Sequence, residues 1–177
     1  HIPAVWWWMV PACLLLGALA GRFRPAPLMA LLKHPLTRLG LPVADVRRRA
    51  RHLELLAFRR PYLGEGLDAV RAAVVEAGTG EIRFVQPPRA ASRLNAEDRA
   101  RAVELIDLVT AAFAPLLDLA GSSRTLAALS AAHAATAEAL AIDEEGSTDA
   151  LWAEEAGDAA ANLLTALQDE SIAGPEI

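Results

Sequence analysis

The 177-residue chain has one cysteine, one tyrosine and only 5% aromatic residues. Lone Cys13 excludes an intramolecular disulfide framework and any all-cysteine metal site. Few aromatic and β-branched residues disfavour a sheet. Residues 1–21, HIPAVWWWMVPACLLLGALAG, contain no Asp, Glu, Lys or Arg. That run approaches the length of a membrane span, but Pro11 and two glycines interrupt it. No charged segment precedes it, as a signal peptide requires. It reads as a buried helix; a membrane anchor over residues 5–20 is the alternative. Basic residues are scarce at the other end: residues 102–177 hold Arg124 alone against fourteen carboxylates.

What is abundant is alanine and leucine, within a hydrophobic fraction of 54%. That composition favours packed helices. The net charge of -5 conceals a division, because residues 1–101 carry sixteen basic and eight acidic side chains. The simplest expectation is that the two halves face each other or a larger protein. The basic half is also able to face a phosphate backbone, which the acidic half repels.

Helical punctuation is clear along the chain. A short helical turn over 28–32 ends at Lys33-His34-Pro35, since the residue before proline avoids the α region. A second corner over 36–41 precedes Pro42. From 43 to 60 the apolar positions Val46, Ala50, Leu53 and Ala57 recur at helical spacing, with arginines opposite. Pro61, Gly64 and Gly66 break that helix, and another follows over 67–77. Residues 81–88, EIRFVQPP, form the one strand candidate. Asn95 and Asp98 have capping-box spacing ahead of a helix carrying Val103, Ile106, Leu108, Val109 and Phe113, which Pro115 bends or ends. Gly121-Ser122-Ser123 precedes an alanine-rich helix over 124–141. Ser147 or Thr148 caps the last helix, which runs to about Asp169. The fold expected is all-α, an irregular array of about five to seven helices with no convincing repeat. Two segments are distinguished: the apolar run 1–21 and a helical subdomain over 22–177.

The chemistry-bearing residues form no recognisable active site. His1, His34, His52 and His133 are scattered, whereas zinc needs three or four ligands. His34 is expected to fix the corner by bonding a backbone carbonyl, and His133 to lie on a helix face. Asp143-Glu144-Glu145 and Glu154-Glu155 read as solvated surface. Ser122-Ser123 lacks the elbow of a hydrolase serine, and Gly64-Glu65-Gly66 lacks the lysine of a phosphate loop. The series Arg47, Arg48, Arg49, Arg51, Arg59 and Arg60 is the feature suited to a partner, although three consecutive arginines cannot all enter one groove. An independent DNA-binding helical module is therefore a competing reading. No residue is assigned as a site.

Two phrases carry a resemblance. RFRPAPLMALLKHPLTRLGL (22–41) and RHLELLAFRRPYLGEGLDAV (51–70) closely resemble consecutive segments of the AddB family, the second subunits of proteobacterial AddAB helicase-nucleases that process double-strand breaks. The resemblance extends to residue 177 mainly by character, and the WWW of the first ten residues departs from it. It implies an internal fragment comparable to the 2B-like helical insertion of superfamily 1 helicases. It further implies a non-catalytic structural part of a cytoplasmic, ATP-dependent enzyme acting in recombinational repair. The implied partners are the remainder of the AddB-like chain, an AddA-like motor subunit, and DNA through the parent complex, with no membrane. No cofactor is expected in this stretch, because the family's 4Fe-4S cluster lies elsewhere. In the phrase 27–41, Leu31, Pro35 and Gly40 are expected to be architectural, with direct DNA contact by Lys33 or His34 the lesser alternative.

Overall fold

The computed structural model describes residues 5–59, 62, 64–79, 91–119 and 125–169, and among these the chain is all-helical with no strand. The eight α-helices are α1 (Val5–Ala20), α2 (Pro25–Lys33), α3 (Val43–Leu53), α4 (Gly66–Thr79), α5 (Ala96–Leu117), α6 (Leu126–Ala141), α7 (Asp149–Trp152) and α8 (Glu154–Gln168). The strand candidate 81–88, the spacer 121–123, Arg60, Pro61 and the tail from 171 lie outside the described residues.

Helix α5 is the hub, packing against α3, α4 and α6. Its start follows from the sequence: Asn95 Oδ1 accepts from the Asp98 N–H at 2.8 Å, and Asp98 Oδ2 accepts from the Asn95 N–H at 3.2 Å. The capping box satisfies two otherwise orphaned donors. Its buried face presents Leu105, Ile106, Val109 and Phe113 at helical spacing. Pro115 sits inside the last turn, and the helix stops at Leu117. A proline that close to the end removes one hydrogen bond that few later residues need.

Helix α1 ends in a Schellman arrangement. The Phe23 N–H donates to the Ala18 carbonyl at 2.8 Å and the Arg22 N–H to that of Leu19 at 2.9 Å. The position normally given to glycine is taken by Arg22, at φ 50. The turn drives Phe23 inward, where its ring meets Phe113 edge-on, centroids 4.9 Å apart. Leu15 and Ala18 of α1 belong to the same core as Leu28, Leu32, Val46 and Ile106. The apolar run thus contributes Leu15 and Ala18 to the core of the helical array. No helix among the described residues is long and apolar enough to cross a membrane.

Two helices differ from expectation in their interior. The 43–60 helix is α-helical only to Leu53 and continues as a π-helical turn, Glu54–Phe58. Leu56 and Ala57 remain buried along this turn, after Leu53. The last helix is divided: Trp152 closes α7, Ala153 is extended, and α8 begins at Glu154 with φ 64. The expected cap by Ser147 or Thr148 is not made. Helix α8 has Ala153 at its N-cap and α7 has Thr148, neither with a side-chain cap bond. Ser147 Oγ accepts only from the Asp149 N–H at 3.0 Å, at the start of α7. Helix α8 docks on α6, where the buried Ser130 hydroxyl donates to the Leu164 carbonyl at 3.1 Å.

Candidate interaction surface

The corner 34–41 closes the end of a distant helix. The amides of Arg38 and Leu39 both donate to the Leu140 carbonyl, at 2.8 and 3.0 Å, and that of Gly40 to Ile142 at 2.7 Å. These three N–H groups cap the carbonyls that α6 leaves unsatisfied. Leu39 (φ 54) and Gly40 (φ 74) take left-handed backbone to point them there. Thr37, buried, donates its hydroxyl to the Leu31 carbonyl at 2.7 Å, and Arg38 pairs with Glu144 at 2.5 Å. His34 fixes the turn differently from expectation. Its Nδ1 accepts from the Leu36 amide at 3.3 Å, and among the described residues its ring bonds no backbone carbonyl. An imidazole two residues before an N–H is well placed to accept, because the carbonyls of this turn serve the chain's own amides. Burial pushes the His34 imidazole below its ordinary pKa.

His34, Pro35 and Leu36 form one side of a groove of about 420 Å³, with Leu151, Glu154 and Gly157 opposite. Behind it, a cavity of about 20 Å³ is lined by Leu15, Leu31, Thr37, His133, Leu140 and Leu151. His133 is thus on a helix face, as expected, but that face is inward. Burial holds its pKa down as well.

The arginine series separates into two groups. Arg48 pairs with Asp45 one turn back, Arg49 with Glu104 of α5 at 2.6 Å, and Arg59 with Glu54 at 2.9 Å. Glu54 also receives Lys33 at 3.1 Å, and that hydrogen bond, with Arg59 beside it, holds the carboxyl below the usual range. Arg47 and Arg51 are exposed and have no carboxylate partner among the described residues. Across the division of charge, Arg38–Glu144, Arg49–Glu104 and Arg71–Asp107 (2.7 Å) join the basic half to the acidic half. The halves do face each other, and only part of the basic excess is used in doing so.

The acidic turn is more ordered than its composition implies. Asp143 Oδ1 accepts from the amides of Ser147 and Glu145 at 2.8 and 3.0 Å, which lowers the carboxyl pKa, the Ser147 bond most. No group of three His, Cys, Asp or Glu residues among the described residues is arranged to hold a metal. His52 lies 3.7 Å from Asp98, an approach between α3 and α5 that no local spacing reveals.

No protein-family model, characterised protein or solved structure matches the chain.

Proposed function

We propose that this chain is a non-catalytic helical scaffold within a larger helicase-nuclease subunit acting in recombinational repair of double-strand breaks. The observation that supports this reading is that the two phrases carrying the resemblance are fastened to each other. Arg22 and Arg24 both pair with Glu65 at 2.7 Å, and the Gly66 amide donates to the Arg22 carbonyl at 2.8 Å. Lys33 reaches Glu54 at 3.1 Å. Leu28, Leu31 and Leu32 of the first phrase share one core with Leu53, Leu56, Leu67 and Val70 of the second. Residues engaged in packing and in bonding each other serve architecture, which is what an insertion subdomain contributes. In this reading the partners are the remainder of an AddB-like chain and an AddA-like motor subunit in the cytoplasm. DNA is met through the complex, and the iron-sulfur cluster belongs to another part of the subunit.

Reading the gene on both sides of this stretch tests the proposal. A frame that continues into helicase-like sequence and then a cysteine-bearing nuclease domain is expected; immediate stops on both sides overturn it. Duplex DNA titrated into the isolated chain is expected to bind weakly. Tight binding with a steep salt slope would favour the independent DNA-binding module.

A further inference from the structure

Helix α3 has three distinct sides. Val46, Ala50 and Leu53 are buried, and Arg49 and His52 turn toward carboxylates of α5. Ala44, Arg47, Arg48 and Arg51 share the remaining side and are all exposed. Their spacing of three and four residues places them in one stripe along the helix. Lys33 and Arg59 meet at Glu54, just beyond its end. Among the described residues, this side of α3 and its end carry Lys33, Arg47, Arg48, Arg51 and Arg59 beside the carboxylates of Asp45 and Glu54. Arg48 already bonds Asp45, and Lys33 and Arg59 already bond Glu54. Arg47 and Arg51 are left one helical turn apart with net positive charge around them.

We infer that this face of α3 docks an acidic helical segment of another protein, with Arg47 and Arg51 each taking one of two carboxylates spaced a turn apart. The match is geometric as well as electrostatic, because guanidinium donors suit carboxylates in pairs and residues four apart on a helix share a face. Ala44 leaves room for a partner to lie close. A short acidic segment suits this surface better than a long polyanion. Next to α3 runs α5, whose exposed Glu97, Glu104 and Asp107 already neutralise Arg101, Arg49 and Arg71, and the chain as a whole carries -5. A duplex extending past the stripe gains no free cation from those pairs; one short helix needs only the two arginines. The inference goes beyond the scaffold reading and stands independently of it.

The test uses the whole chain and fluorescence anisotropy. The probe is an alanine-rich peptide of about twenty residues with glutamates four apart, long enough to stay helical. A lysine version of the peptide and a short DNA duplex serve for comparison. At low salt the glutamate peptide is expected to bind, and the lysine peptide not. The double variant Arg47→Glu/Arg51→Glu should weaken binding about tenfold or more, the scale of losing and reversing two exposed pairs. Arg93→Glu, altering an exposed arginine outside the stripe, should leave binding unchanged. Equal thermal unfolding of all variants shows that the fold is intact. Equal peptide binding by the double variant and the parent overturns the inference. So does tighter binding of duplex through the same two arginines, which assigns the face to nucleic acid.

Discussion

The Leu36 amide donates to Nδ1 of His34 at 3.3 Å, so the corner between α2 and α3 requires that nitrogen to be unprotonated. A protonated imidazole has two donors and no acceptor. Protonation therefore sets a donor against a donor, at the corner whose amides cap α6. The sign of the pH dependence follows. His34 and His133 are both held below the ordinary histidine value of about 6.5, so the unfolded chain binds protons first as pH falls. Their contribution is fully present above about 6.5 and is lost as pH drops through the folded values. Thermal unfolding should show stability declining as pH falls below about 6.5. The variant His34→Asn/His133→Gln, which keeps polar side chains without titration, should flatten that decline. The lowered carboxyls of Glu54, Glu65 and Asp143 act at lower pH, below the ordinary range of about 4. A parallel decline in parent and variant above the carboxylate range would exclude the histidines as its cause.

Glycines at two helical positions should respond to alanine with opposite sign. A Cβ on Gly17 meets nothing within 4 Å. Gly17→Ala in α1 should therefore stabilise by up to about 1 kcal/mol through helix propensity. A Cβ on Gly157 runs into the Trp152 backbone, which cannot rotate away. Gly157→Ala should cost about 1–3 kcal/mol, as overpacking does, and separate α7 from α8. Denaturant unfolding of both variants checks the pair. A neutral Gly157→Ala would mean that the break at Ala153 is adaptable.

How much of this was legible depends on range. The capping box is written in two residues three apart, Asn95 and Asp98, and the apolar positions of α3 and α5 repeat at the helical period, so both could be read locally. The π-turn was not legible, because Leu53, Leu56 and Ala57 also fit an α-helix. The capping of α6 by Arg38, Leu39 and Gly40 joins segments remote in sequence, and no local pattern encodes it. The charge division was legible as a division. Which arginines remain free was not, since that depends on where Asp45, Glu54 and Glu104 stand.

Asn95 offers a direct measure of what the legible signal contributes. Asn95→Ala removes the acceptor for the Asp98 amide and breaks the reciprocal box. A cost of about 1 kcal/mol is expected, the usual value for an N-cap. Asn95→Asp should retain most of the stability, since its carboxylate accepts the same bond. Because α5 is packed on three helices, the loss should register in global unfolding as well as in fraying of the first turn. Hydrogen exchange confined to the first turn, with unchanged global stability, would show the cap to be local only.

The junction of the two charge halves makes the last prediction. Arg49 is the well-protected member of its pair, its side chain 12% exposed while Glu104 is 57% exposed. Arg71 and Asp107 are each about half exposed, 49% and 51%. Screening and side-chain freedom weaken the second pair much more than the first. Arg49→Ala should therefore destabilise by about 1 kcal/mol, partly because the largely covered aliphatic stem of Arg49 is lost with the charge. A double-mutant cycle with Glu104→Ala isolates the charge contribution, expected at about 0.5 kcal/mol and shrinking as salt is raised. Arg71→Ala should produce no measurable change in unfolding. If Arg49→Ala and Arg71→Ala were equally silent, the contacts of α5 with α3 and α4 would owe nothing measurable to these two ion pairs and would rest on apolar packing. The charges of the two halves would then serve partners outside the chain.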